Sequence, residues 1–324
     1  MEHDNKGISI ALCTYNGAKF LRDQLESIAN QTLLPDELVV VDDHSTDNTV
    51  EILSSFSSSS PFVVIIERNT TNLGPVLNFS KAIAICKGDY VATCDQDDVW
   101  LPEKLENTME AMRQGESLYG SGTPLLVHTD LRVVVGEERR LLHPSFMEMM
   151  NIRHRSKDPI KVLLAQNFVT GCTMLVNRAL VREAMPIPPS AVMHDWWFAL
   201  IAAARGRILH LPFPTILYRQ HAANVAGARN FLSLQNFRSS LDNAKGDQKM
   251  SSLLCQGEEL IVRLKNLKAT IPVFLENLIA GWRKGGVPAL LVTISSRVKK
   301  QGLLRNIYFF SVLLRGNYFK GLPK

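Results

Sequence analysis

Residues Tyr90–Trp100 read YVATCDQDDVW: five residues with the character of a buried strand run directly into Asp95, Asp97 and Asp98. Carboxylates this close repel one another unless a cation shares them, and hard oxygen donors suit Mg²⁺ or Mn²⁺. Taken alone, the same letters also fit a turn ahead of a helix opening at Pro102. What lies on either side decides between the two.

Upstream, the pattern of apolar strand and polar exit occurs three more times. Ile8–Cys13 (ISIALC) runs into Thr14-Tyr15, Leu38–Val41 (LVVV) into Asp42-Asp43, and Phe62–Ile66 (FVVII) into Arg68-Asn69. Helices are predicted between them. Leu21, Leu25 and Ile28 share one helical face, and Asn48 with Glu51 has N-cap to N3 spacing. After Pro75, Val76, Phe79, Ile83 and Cys86 form another face, with Gly88 as its stop. Strands apolar on both faces and separated by helices predict an α/β fold, a mostly parallel sheet flanked by helices. Ligands of such sheets bind beyond the carboxyl ends of the strands. That edge collects five carboxylates and Arg68.

Further along, strands are predicted at Leu125–Asp130, Arg132–Val135, Val169–Val176 and Pro214–Tyr218, and a helix at Trp196–Ala204 just after His194-Asp195. Beyond Arg229 the chain reads as amphipathic helices punctuated by Gly246, Pro272, Gly285-Gly286 and Gly302, a C-terminal helical extension. The 324 residues, 46% hydrophobic and 21% charged, exclude a disordered or collagen-like chain. A net charge of +5 conceals −6 over residues 1–228 and +11 over 229–324. Five cysteines with no C-x-x-C spacing point to free thiols and a reducing compartment. The polar opening MEHDNKG is unlike a signal peptide, and the uncharged runs Gly285–Ser296 and Asn306–Leu314 are too short to span a bilayer. A cytoplasmic protein is expected.

From Asn277 onward there are nine Lys/Arg and no acidic residue, while Leu303, Leu304, Ile307, Phe310, Leu313 and Leu314 recur at helical spacing. Helices lying on the anionic inner face of the cytoplasmic membrane fit this pattern, and so do solvated faces around a small helical core. No nucleic-acid motif accompanies the charge, so no nucleic-acid partner is expected. A dinucleotide-binding G-x-G-x-x-G is absent after the first strand, as is a P-loop.

C-T-Y-N-G, V-V-V-D-D-H-S-T-D-N-T, N-L-G-P and C-D-Q-D-D-V-W-L-P-E-K-L together resemble the nucleotide-binding half of family-2 inverting glycosyltransferases of the GT-A fold, over residues 7 to 107. The resemblance continues through T-G-C-T-M-L-V-N, H-D-W-W and Y-R-Q-H-A-A-N-V-A-G to about 227. The D-Q-D-D-V-W and Y-R-Q-H variants are similar to the rhamnosyltransferase-like branch. The implied organisation is a GT-A domain over 1–228, with halves 1–107 and 108–228, and a basic helical region over 229–324.

The resemblance implies that Thr14 and Asp43 contact the nucleoside, with Tyr15 beside them, and that Asp97 is the main metal ligand. Asp95 would meet ribose or help hold the metal, Asp98 would orient the metal's water shell, Asp195 would be the catalytic base, and His221 would join the metal site. Read from the residues alone, several of these have plainer roles. Asp42 and Asp43 fit a turn and helix cap as well as a nucleoside acceptor, Asp195 fits an N-cap, and His221 fits a structural histidine first. Arg68 and Arg219 are split between diphosphate contact and a surface salt bridge. Of Trp196, Trp197 and Phe198, one is expected to line an acceptor pocket, with Trp196 the candidate, and the others to be core.

The implied reaction moves one sugar, rhamnose by the branch, from a nucleoside-diphosphate sugar to a saccharide or lipid-linked saccharide. Processive members carry Q-x-x-R-W; here Gln235-Asn236-Phe237-Arg238 is followed by Ser239, which favours single addition. A sugar nucleotidyltransferase and a non-catalytic nucleotide-binding membrane module stand as alternatives.

Overall fold

The computed structural model describes residues 7–221 and 243–318. The boundary expected at 228, the end of the Y-R-Q-H-A-A-N-V-A-G motif and Gln235–Ser239 lie outside them. Two compact units are present: residues 7–149, 169–189 and 193–221, and residues 150–168, 190–192 and 243–318.

In the first unit, β1 (Ile8–Thr14), β2 (Glu37–Asp42), β3 (Val63–Arg68) and β4 (Tyr90–Cys94) are parallel in the order β3-β2-β1-β4. Between them run α1 (Ala18–Ala29), α2 (Thr49–Ser57) and α3 (Pro75–Ile85). β1, β2 and β4 are almost wholly buried, as their unbroken apolar runs require. Leu21, Leu25 and Ile28 of α1, and Phe79 and Ile83 of α3, are buried, each such side chain contributing about 1.5–3 kcal/mol.

The sheet then turns mixed. β8 (Leu175–Asn177) pairs antiparallel with β4 and with β6 (Leu125–Val135), and β9 (Arg207–Gln220) lies parallel to β6. The two-residue β5 (Val99–Trp100) pairs antiparallel with the end of β9, and β7 (Arg140–His143) flanks β6. The helices α4 (Lys104–Tyr119), α5 (Phe146–Met149), α7 (Arg178–Ala184) and α8 (His194–Arg205) complete this unit.

Local details differ from expectation for stated reasons. Asn48 is the N-cap of α2 by position but makes no side-chain cap bond; Asp47 Oδ1 accepts from Thr49 N at 3.1 Å instead. α3 ends at Ile85, and Gly88 serves close packing, since a Cβ there would stand 2.6 Å from Gly7 O. The helix expected at Pro102 begins at Lys104, and the one expected at Trp196 begins at His194.

The second unit holds α6 (Pro159–Leu163), α9 (Asn243–Asn266), α10 (Val273–Lys284), α11 (Gly286–Ser295) and α12 (Leu303–Arg315). Trp282 centres its core: the indole N–H donates to Thr293 Oγ1 at 2.8 Å, Phe309 meets the ring edge-on, and Tyr318 donates to the Trp282 carbonyl at 2.9 Å. No helix among the described residues is long and apolar enough to cross a membrane.

Candidate active site

Strand register builds the site. Thr14 is level with Asp42, Asp42 with Arg68, and Leu12 with Cys94, so the residues that follow these strands leave the sheet at one edge. Backbone pairing carries on past the strands, Asp43 N donating to Thr14 O and Asn69 N to Asp42 O, both at 2.8 Å.

At the end of β2, Asp42 is buried and accepts from Thr14 Oγ1 at 2.9 Å and from Ser45 N at 2.9 Å. Arg68 stays half-exposed, its Nε 3.7 Å from Asp42 and its guanidinium donating to Ser45 O at 2.7 Å. Asp43 is buried too. Its carboxylate takes bonds from Asn69 Nδ2, Leu73 N and Gly74 N at 2.8–2.9 Å, which shapes the N-L-G-P turn. Tyr15 is exposed. The first loop and the D-D-H-S-T-D-N-T segment interlock: Asn16 N donates to Ser45 Oγ, Thr46 N to Asn16 Oδ1, and Gly17 N to Thr49 Oγ1, at 2.8–2.9 Å.

Gln96, the middle letter of the D-x-D pattern, was not singled out by the sequence. Its side chain clamps the Tyr15 backbone, accepting from N at 2.8 Å and donating to O at 3.0 Å. Gly17 is the trace of this clamp in the sequence, because a Cβ there would stand 2.1 Å from Gln96 Oε1.

The acids after β4 meet the end of β9 because β5, one residue beyond Asp98, pairs Val99 with Leu217 and Trp100 with Ile216. That pairing brings His221 Nε2 to 2.7 Å from Asp97 Oδ2, across 124 residues of sequence. Arg219 is buried. It donates to Asp23 Oδ2 at 2.7 Å and to the Asp97 carbonyl at 3.2 Å, and its guanidinium lies over the Phe20 ring. Of its two expected roles the structure places it in an ion pair, though a buried one, where it braces the Asp97-Asp98 turn against α1. Asp98 accepts from Arg219 N at 3.3 Å and is fully buried, and burial, then Asp97, then Asp95, push its carboxyl well above the usual range. One oxygen of Asp95, one of Asp98 and Cys172 Sγ lie within 4.8 Å of one another.

Asp195 lies in the first turn of α8, whose N-cap is Met193, so it is not itself the cap; its Oδ1 accepts from Trp196 N at 2.6 Å. Burial, then Asp97, then Asp195, raise the Asp95 carboxyl to about 7, so the two sequence-distant acids act on each other. Beneath Asp195, the His194 ring is fully buried, stacks on Phe79 at 3.7 Å, and is pushed down to about 3 by burial. Gly171 of the T-G-C motif makes this packing possible: a Cβ there would stand 2.7 Å from His194 Nε2 and 3.5 Å from Asp195 Cβ. Thr93 Oγ1 donates to Gly171 O at 2.6 Å, tying that turn to β4. Trp196, the candidate for lining an acceptor pocket, keeps 6% of its surface exposed, whereas Trp197 and Phe198 are fully buried, the core role expected of them.

Carboxylates clustered and buried as Asp95 and Asp98 are suit a divalent cation, whose charge would offset the repulsion. Oxygen donors from Asp95 and Asp97 with an imidazole from His221 are a set that Mg²⁺ or Mn²⁺ accepts.

A family model described as Glycosyl transferase family 2 matches residues 9–183, more than half of the chain. The chain belongs to that family. Among its family-2 relatives, the dTDP-rhamnosyl transferase RfbG of Shigella flexneri is 24% identical over 229 residues, covering 67% of this chain and 74% of that one. An uncharacterized protein of Mycobacterium tuberculosis is 27% identical over 220 residues, 67% of this chain and 60% of that protein, so the chain spans less than two thirds of such a relative's length. Solved structures share the fold. Staphylococcus aureus TarS 1–349 in complex with UDP superposes with a TM-score of 0.53 at 16% identity, over 98% of this chain and 92% of that one. The mannosyltransferase PcManGT of Pyrobaculum calidifontis, in complex with GDP-Man and Mn²⁺, gives 0.52 at 17%, over 96% and 86%.

Proposed function

We propose that this family-2 protein is a metal-dependent, inverting glycosyltransferase that adds one sugar to a saccharide or lipid-linked saccharide in cell-surface polysaccharide assembly. The donor is a nucleoside-diphosphate sugar, rhamnose being the sugar suggested by the likeness to RfbG. The observation that carries the reading is that the Gly171 turn, tied to β4 by Thr93 at 2.6 Å, lies against Asp195, a Cβ at Gly171 standing 3.5 Å from Asp195 Cβ. In this way α8 brings an acid a hundred residues away in sequence toward the acids that follow β4. The reading makes Asp195 the acceptor-side acid and Asp95 a donor-side one.

In this reading Thr14, Tyr15, Asp42 and Asp43 form the nucleoside end, and Arg68 faces the diphosphate. Asp97 would hold the cation with Asp95 and His221, and Asp98, buried behind them, would orient water bound to it. When bound, Mg²⁺ or Mn²⁺ offsets the negative charge that develops on the departing diphosphate. Asp195 takes the proton from the acceptor hydroxyl as its oxygen attacks the anomeric carbon from the face opposite the diphosphate. The bond to the diphosphate breaks with its electron pair, which inverts the configuration. The N-terminus of α8 favours the ionised form of Asp195. His194, neutral at pH 7, does not compete for the proton. The Mn²⁺ and GDP-Man held by PcManGT and the UDP held by TarS support the donor and cofactor classes. The excess of basic residues over 229–324 supports an acceptor at an anionic membrane surface, with the protein peripheral on its cytoplasmic face and without a nucleic-acid partner.

A screen of UDP-, dTDP- and GDP-linked sugars, with mass detection of released diphosphate in the presence and absence of Mn²⁺, tests the reading. Metal-dependent diphosphate release from one donor class is expected. Metal-dependent stabilisation by nucleoside diphosphates without turnover on any donor and acceptor pair would indicate a non-catalytic module. Pyrophosphate release from a nucleoside triphosphate and a sugar phosphate would indicate a nucleotidyltransferase.

A further inference from the structure

The helix α11 carries no charged residue, and its exposed positions are Val287, Pro288, Leu291, Ile294 and the terminal Ser295, with Val287, Leu291 and Ile294 each more than half exposed. On α12, Leu303, Leu304 and Ile307 are 76%, 64% and 56% exposed, while Phe309, Val312 and Leu313 face inward. The sequence showed only that these apolar residues recur at helical spacing. The structure divides them into a core set around Trp282 and a set left outside. Large aliphatics concentrated on two consecutive helices are not the scattered singles of an ordinary surface.

Basic residues bracket the outward set. Exposed Arg283 and Lys284 precede α11, and exposed Arg297 and Lys299 lie between α11 and α12. No acidic residue occurs after Glu276. Asp247, near the start of α9, is engaged by Arg315 at 3.5 Å. Arg283 pairs with Glu258 of α9, while among the described residues no ion pair engages Lys284, Arg297 or Lys299, and cations left so favour an anionic partner.

Apolar residues that need a nonpolar medium, ringed by cations that need anions, match the two layers of a lipid interface. We infer that the outward face of α11 and α12 is a membrane-docking surface, its aliphatics entering the acyl boundary and Lys284, Lys299 and their basic neighbours meeting anionic headgroups. The inference deepens the membrane-acceptor reading above and rests on it.

Flotation of the full chain with vesicles of phosphatidylcholine, and of equal parts phosphatidylcholine and phosphatidylglycerol, tests it. The wild type is expected to float with the anionic vesicles far more than with the neutral ones. Lys284→Ala with Lys299→Ala should weaken anionic binding about 25-fold, each basic residue near the surface being worth about fivefold. Leu291→Asp with Ile307→Asp should abolish flotation with an unchanged melting temperature, since both sites are exposed. Equal flotation with both vesicles, no flotation with either, or undiminished flotation of the folded Asp pair overturns the inference. So does concentration-dependent self-association lost in the Asp pair without any flotation, which would make the face a contact between copies of the chain. Diphosphate release from a free donor, measured on the same samples, keeps the readings apart. Release without flotation removes the docking surface alone, and flotation without release removes the catalytic reading alone.

Discussion

Replacing Gly171 by alanine probes the packing beneath Asp195. The new Cβ would stand 2.7 Å from His194 Nε2 and 3.0 Å from its Cε1, about 0.7 Å inside ordinary contact. The ring has no easy retreat, because it is fully buried and stacked 3.7 Å from Phe79. Overpacking of this kind costs about 1–3 kcal/mol, or a fall of roughly 2–12 °C in melting temperature for a domain of this size. Asp195 Cβ, 3.5 Å from the added methyl, moves with the ring. A displacement of about 1 Å at a reacting group costs about 100-fold in rate, so transfer should fall far more than nucleotide affinity. A double-mutant cycle isolates the cause: in a His194→Ala background, Gly171→Ala should lose most of its cost, a coupling of about 1–2 kcal/mol. Urea denaturation gives the stabilities and diphosphate release gives the rates. A Gly171→Ala protein with wild-type stability and turnover, or strictly additive effects in the cycle, would refute the reasoning.

Other predictions concern charge and capping. His194 titrates in the unfolded chain near 6.5 but in the folded one only near 3, so the unfolded state binds the extra proton. Stability should therefore fall by about 1.4 kcal/mol per pH unit as the pH drops from about 6 toward 3, and His194→Leu should flatten that part of the pH–stability curve. Asp97→Asn should abolish the Mn²⁺-dependent part of donor binding measured by calorimetry, and retention of that part would remove Asp97 from the metal site. Asp47→Ala should cost about 1–2 kcal/mol because its carboxylate serves Ala18 N and Thr49 N, whereas Asn48→Ala should cost less than about 0.5 kcal/mol. Equal losses in the two variants would contradict the capping assignment.

The front of the sheet was legible because burial on both faces writes itself as unbroken apolar runs, and because each run ends in the polar residues of one edge. The back was legible only in pieces: the strands expected at Leu125–Asp130 and Arg132–Val135 are one strand, β6, and the one expected from Pro214 begins at Arg207, continuing past Pro212 because its pairing with β6 skips residues 211–213 between His210 and Pro214. β5 has two residues, too few for any periodicity, and it is the element that delivers His221 to Asp97. Gln96 was passed over because a neutral side chain between two acids carries no signal until its partner, 81 residues away, is in place. The burial of Trp196 could have been anticipated from the apolar run around it in α8, which leaves no polar face to turn outward.

Asp195→Asn is the direct check on the proposed role of Asp195 as the base. Nucleotide-sugar affinity and sugar transfer should be measured on the same folded protein. Donor binding within about twofold of wild type and transfer reduced at least ~100-fold are expected, as removal of a general base requires. Normal transfer by this variant would contradict that role.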